Sequence, residues 1–284
     1  MRATIRSLGF TLVEAAVVIA VMGIVGSLLT VFFPRVVDSY FASVRRAQLS
    51  DVADSALRRI ARDVQTALPN SARADASGFF LEFIPVRSGG RYRASPDGGT
   101  NALDISNPAD NDFNVLGPGA SIAAGDQIVI YNTGQSGANV YEAGARNIRT
   151  FTGTPGAAVT LVQFSVAGGQ FPRDSDSLRF QVVSTPVSYA CDAATGTLWR
   201  YAGYAIQTAQ PNSIAGGLLS TGSGPVAGAP LATNVVCVAG DASNIGTGFG
   251  VLSAEGLVLL RIQLRDSSGE TLSLWREVHV DNTP

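Results

Sequence analysis

The chain has 284 residues, 46% of them hydrophobic and only 15% charged, with a formal net charge of −2. That balance excludes a disordered chain and a multi-span membrane protein, and it offers a nucleic-acid partner no basic surface. The length suits one large domain or two modest ones.

The first element is a short polar leader, Met1 to Gly9, carrying Arg2 and Arg6. An apolar run follows from Phe10 to Phe33, FTLVEAAVVIAVMGIVGSLLTVFF, whose only charge is Glu14. About 20 apolar residues cross a bilayer as a helix, so residues 10–33 are expected to form a single transmembrane span. Basic residues on the leader side predict a cytoplasmic N-terminus, although Arg35, Arg45 and Arg46 on the far flank oppose that reading. A secretory signal peptide would have a shorter apolar core and a small-residue cleavage site after it, and neither is present here. An ordinary signal anchor fits the length. It leaves unexplained the Gly-Phe junction ahead of the run and the acid five residues into it.

The segment Gly9-Phe10-Thr11-Leu12-Val13-Glu14 resembles the processing motif of type IV prepilins and type II secretion pseudopilins. The resemblance implies that a prepilin peptidase cuts after Gly9, in a leader spanning 1–9, and methylates the new amino terminus at Phe10. It also implies a role for Glu14, the fifth mature residue: pairing with the Phe10 amine of a neighbouring subunit sets register during assembly. The physics agrees with such a use. A carboxylate in a spanning helix costs about 2.5–3.5 kcal/mol at the bilayer centre and less near the end, so it seeks a partner. The alternative is a carboxylate that merely sits among the headgroups.

Pro34 interrupts the apolar run, and a proline inside a helical pattern kinks or breaks it. An amphipathic continuation is expected over 34–68. Leu49, Val52, Ala53, Ala56, Leu57, Ile60, Val64 and Leu68 recur at steps of three and four and form one apolar stripe. The other face holds Arg45, Arg46, Asp51, Asp54, Arg58, Arg59, Arg62 and Asp63, with Asp54–Arg58 and Arg59–Asp63 at pairing distance. Pro69-Asn70 stops the helix.

Residues 69–284 switch to short apolar runs between Gly, Pro, Asn and Asp clusters, the pattern of a β-rich globular head. Strands are expected at 79–86, 127–131, 159–166, 178–184, 187–191, 198–206, 235–238, 257–265 and 272–280. Two of the connections, 192–196 and 266–270, are short and Gly-containing and predict hairpins. Residues 94–125 and 207–232 read as long surface loops. Cys191 and Cys237 are the only cysteines. In an exported domain a disulfide between them is the default, with two buried free thiols as the alternative. The fold class is therefore α+β: a long, partly transmembrane N-terminal helix packed on an antiparallel β-rich domain, as in type IV pilins.

Little in the sequence suggests catalysis. His279 is the only histidine and has no evident partner, so no catalytic residue is assigned. Two cysteines and one histidine do not make a structural zinc site, and Asp110, Asp112 and Asn114 match only the start of a calcium loop, with Val115 where glycine is required. No metal, cofactor or small-molecule substrate is expected. Several patches narrow the resemblance to the MshO family of mannose-sensitive haemagglutinin (MSHA) pilus biogenesis proteins. They are YFASVRRAQLSDVADSALRRIARDVQTALPNSAR from Tyr40, FLEF from Phe80, GGRYR from Gly89, PVSYAC from Pro186, TLWRY from Thr197 and VHVDNTP from Val278. The resemblance implies a minor pilin. Its partners would be the prepilin peptidase, other pilin subunits and the inner-membrane assembly platform, and it would pass from the inner membrane to the pilus. A minor type II secretion pseudopilin and a pilus-borne adhesin head are the alternatives.

Overall fold

The computed structural model describes residues 11–94, 101–214, 217–220, 226–237, 247–252 and 256–280. Contacts divide the chain into two units, Met1–Gln48 and Leu49–Pro284. One α-helix runs from Leu12 to Gln65, 54 residues, and continues through Pro34 without interruption. Proline lacks the N–H that would bond the Thr30 carbonyl, so one ladder bond is lost while the helix persists. The helix stops three residues short of the expected Leu68. Ala67 instead bridges Pro85, and the Leu68 N–H donates to the Ile84 carbonyl at 2.7 Å.

The second unit is built on β-structure, among the described residues all antiparallel except one short parallel pair, 219–220 with 226–227. A five-stranded sheet has the order 73–74, 80–83, 187–192, 197–202, 229–232. A three-stranded sheet has the order 248–252, 257–265, 271–279. Their inner faces meet the helical stripe Ala53, Ala56, Leu57, Ile60, Ala61 and Val64, which buries against Leu81, Phe83, Tyr189, Leu198, Leu260 and Ile262 among others. Val52 does not belong to that stripe. It is 43% exposed, because Leu49 and Ala53 already hold the steps that face the sheets.

A six-stranded sheet, in the order 148–150, 127–129, 179–183, 86–92, 112–116, 161–163, carries a separate aromatic core. Phe113 is its hub, with ring centroids 5.0 Å from Phe180, 5.7 Å from Tyr92 and 5.9 Å from Phe164. Gly89 permits the closest approach in this sheet, since a Cβ there would stand 2.7 Å from the Phe180 carbonyl oxygen.

Both expected hairpins form, with registers Asp192↔Thr197 and Arg265↔Thr271 at their ends. Gly196 closes the first turn at φ 60°, a backbone region that favours glycine. Expected strand 79–86 is divided at Ile84-Pro85 into 80–83 and 86–92, which join different sheets. Expected strand 235–238 reduces, within the described residues, to one bridge between Val235 and Leu264. The segments read as loops contain strands 112–116, 120–122 and 229–232. Strand 248–252 includes glycines that resemble a turn.

Candidate functional site

The apolar helix begins with a cap. The Glu14 N–H donates to the Thr11 hydroxyl at 3.3 Å, and the Ala15 N–H donates to the Thr11 carbonyl at 3.1 Å. Thr11 with Glu14 three residues on is the sequence form of a capping box, and an acid in the first turn also suits the helix dipole. The prepilin resemblance gives Glu14 an intermolecular role only; the Thr-x-x-Glu spacing is the signal for this second, local one. Glu14 lies exposed in the first turn, while Gly9 and Phe10 lie outside the described residues.

From Leu12 to Phe33 the helix shows large apolar side chains on every side: Leu12 is 88% exposed, Met22 70% and Ile24 61%. None of its most apolar stretch is buried by the described residues. Water does not tolerate a patch of that size, so this surface requires an apolar surrounding. The two hydroxyls within it are satisfied by the helix itself. Ser27 donates to the Ile24 carbonyl at 2.7 Å and Thr30 to the Gly26 carbonyl at 2.6 Å, leaving no side-chain donor needing water. The helix is thus long and apolar enough to cross a membrane near the N-terminus.

Further along, the polar face serves the fold. Asp63 Oδ2 accepts from the Tyr189 hydroxyl at 2.8 Å and from Arg200 Nε at 2.9 Å, tying the helix to two neighbouring strands. Burial, and then the charge of Asp63, pushes the Tyr189 hydroxyl's pKa up, so it stays a donor. Arg59 also reaches Asp63, at 3.4 Å, and Arg58 pairs with Asp54. Asp63 is therefore an anchor to the sheet and not part of a solvated face.

A second knot forms around Glu82, which is fully buried. Arg73 Nε donates to Glu82 Oε2 at 2.5 Å, and the Tyr204 hydroxyl donates to Oε1 at 3.0 Å and lies 2.6 Å from Ser188 Oγ. Arg73 also donates to the carbonyls of Gln207 and Thr208, and its guanidinium sits 3.6 Å over the Tyr141 ring. Burial raises the Glu82 pKa, against the opposing pull of Arg73. These polar groups are spent on one another, and they hold residues 207–210 against the sheet. A cleft of about 810 Å³ opens beside them, where Glu142 accepts from Ser136 and the Gly137 N–H.

The remaining sequence candidates are scattered. His279 is exposed at the end of strand 271–279, opposite Leu257. Asp110 accepts from the Asp104 N–H, while Asp112 lies in strand 112–116. Among the described residues no group of three or more His, Cys, Asp and Glu stands close enough to hold a metal ion. Cys191 and Cys237 are joined in a disulfide with Cα atoms 5.7 Å apart. Comparison with protein-family models, curated proteins and solved structures finds no match to this chain.

Proposed function

We propose that the chain is a minor filament subunit of the type IV pilin kind, similar to the MshO family, with a structural role and no catalytic one. The observation that carries the reading is the helix from Leu12 to Phe33, apolar on all sides, with Glu14 its only charge and Gly9-Phe10 just ahead in the sequence. A bilayer alone would be satisfied by any such helix. The Gly-Phe junction and the acid five residues after it add what a plain anchor does not need: a cleavage point and a group able to meet the amine that cleavage creates. In this reading a prepilin peptidase removes residues 1–9 and methylates Phe10, with the head outside the inner membrane. The helix then leaves lipid for the filament interior, where helices of other pilin subunits replace the acyl chains. Glu14, in the first turn beside the Thr11 cap, accepts the Phe10 amine of a neighbour.

The head supports minor status by its bulk, since more than 200 residues follow the helix and would have to repeat along a thin helical array if the subunit were abundant. Its buried Glu82 and half-buried Asp63 and Arg73 are consumed by internal bonds, as suits a structural module. Mass spectrometry of the N-terminus from native membranes tests the proposal. The expected product begins at Phe10 and carries one added methyl group. An intact Met1, or a cut beyond Val31, would sink it.

A further inference from the structure

Among the described residues the strand Thr271–His279 pairs on one side only. Its partner Leu257–Arg265 faces it through nine consecutive residues with no bulge, and among the described residues no strand lies along its other edge. The hydrogen-bond phase is fixed at both ends, where the Asp266 N–H donates to the Glu270 carbonyl at 2.9 Å and the Val280 N–H to the Gly256 carbonyl at 2.8 Å. Alternation then turns the backbone groups of Leu272, Leu274, Arg276 and Val278 inward. Those of Thr271, Ser273, Trp275, Glu277 and His279 face the open edge, and all five side chains are exposed. Soluble proteins guard such edges with proline, lysine or bulges, and this strand, TLSLWREVH, has none of them. At its centre stands Trp275, 72% exposed.

The strand is complementary to itself. When two antiparallel copies overlap over the full nine residues, Trp275 meets Trp275 on the outer face, Ser273 meets Glu277 and Thr271 meets His279. On the other face Leu274 meets Arg276 and Leu272 meets Val278. No like charges oppose one another, and a hydroxyl donor faces each carboxylate. Moving the centre to Arg276 or Glu277 shortens the overlap and sets like charges face to face. Antiparallel pairing about a two-fold axis perpendicular to the sheet also keeps each copy's outer face outward, as an isologous contact requires. We propose that two copies of this chain associate through strand Thr271–His279, pairing antiparallel in the register centred on Trp275 and merging their three-stranded sheets into one of six strands.

Cysteine cross-linking of the full chain in native membranes tests this, with the native disulfide leaving no other thiol to react. In the proposed register the Cα atoms at position 275 are about 5.5 Å apart, within disulfide reach. The two copies of position 271 are about 27 Å apart along the strands. Trp275→Cys is expected to give a disulfide-linked dimer on mild oxidation, and Thr271→Cys a monomer. The Ser273→Cys/Glu277→Cys double variant is expected to give a dimer too, fixing the register. Position 275 is exposed, so its substitution leaves the core intact. Monomeric Trp275→Cys, a cross-link from it to a different protein, or equal dimer from Thr271→Cys would each overturn the proposal.

Discussion

The two ends of the long helix solve the problem of burying apolar surface in opposite ways. Residues 49–65 commit one stripe, Ala53 through Val64, to two sheets and fasten a polar side chain, Asp63, to Tyr189 and Arg200. Residues 12–33 have no stripe, because nearly every side chain is apolar and none of the described residues covers them. The C-terminal end is therefore held by tertiary packing, and its stability belongs to the head. The N-terminal end is held by its own ladder, its Thr11 cap and whatever apolar medium surrounds it. A helix that carries its hydroxyls folded back onto its own carbonyls, as Ser27 and Thr30 do, is equally ready for lipid or for other helices.

The strongest way to test that contrast is to cut the disulfide. Replacing Cys191 and Cys237 by serine releases a 46-residue loop and is expected to destabilise the head by about 4 kcal/mol. Hydrogen exchange should then quicken in helix residues 49–65 and stay unchanged in 15–33. Equal loss of protection at both ends would erase the distinction. Next in size, Ile60→Ala removes a fully buried side chain and should cost about 2–5 kcal/mol in denaturant unfolding.

Glu82→Gln weakens the buried partnership with Arg73 and should cost about 3 kcal/mol near neutral pH. Its pH dependence has a definite sign. The folded pKa of Glu82 lies above the unfolded 4.5, so between the two values the folded chain holds a proton that the unfolded chain has released. The stability this carboxyl contributes falls as pH rises through that window and levels off above it. The gap between wild type and Glu82→Gln should narrow accordingly. A gap that widens with pH would mean that Arg73 keeps the carboxylate ionised throughout. Smallest of all, Ile24→Ala should move the unfolding midpoint of the head by less than about 0.5 kcal/mol, because residue 24 lies outside its core.

The same contrast is legible in the periodicity of the sequence. An uninterrupted apolar run, a stripe at steps of three and four and two Gly-containing hairpin turns are local signals, and each forms where its pattern lies. Cys191 and Cys237 also join as expected. What is not legible depends on distance along the chain. Asp63 looks like a surface acid until Tyr189 and Arg200, 126 and 137 residues away, arrive beside it. Arg73 and Glu82 are nine residues apart, but only the antiparallel return of strand 80–83 brings them face to face. Strands 112–116 and 229–232 lie in segments rich in Gly, Ser, Asn and Pro, where local preference favours turns and pairing with a strand from elsewhere in the chain prevails. Val52 misleads for a simpler reason, being apolar one step off the buried stripe.

The disulfide has one more consequence. It closes a ring through strands 197–202 and 229–232 and the chain between them. A protease that nicks the backbone anywhere from Asp192 to Val236 therefore produces no separate fragment. The two pieces migrate as one chain until a reductant is added. A head built this way can be cut between the two cysteines and still remain attached to its helix.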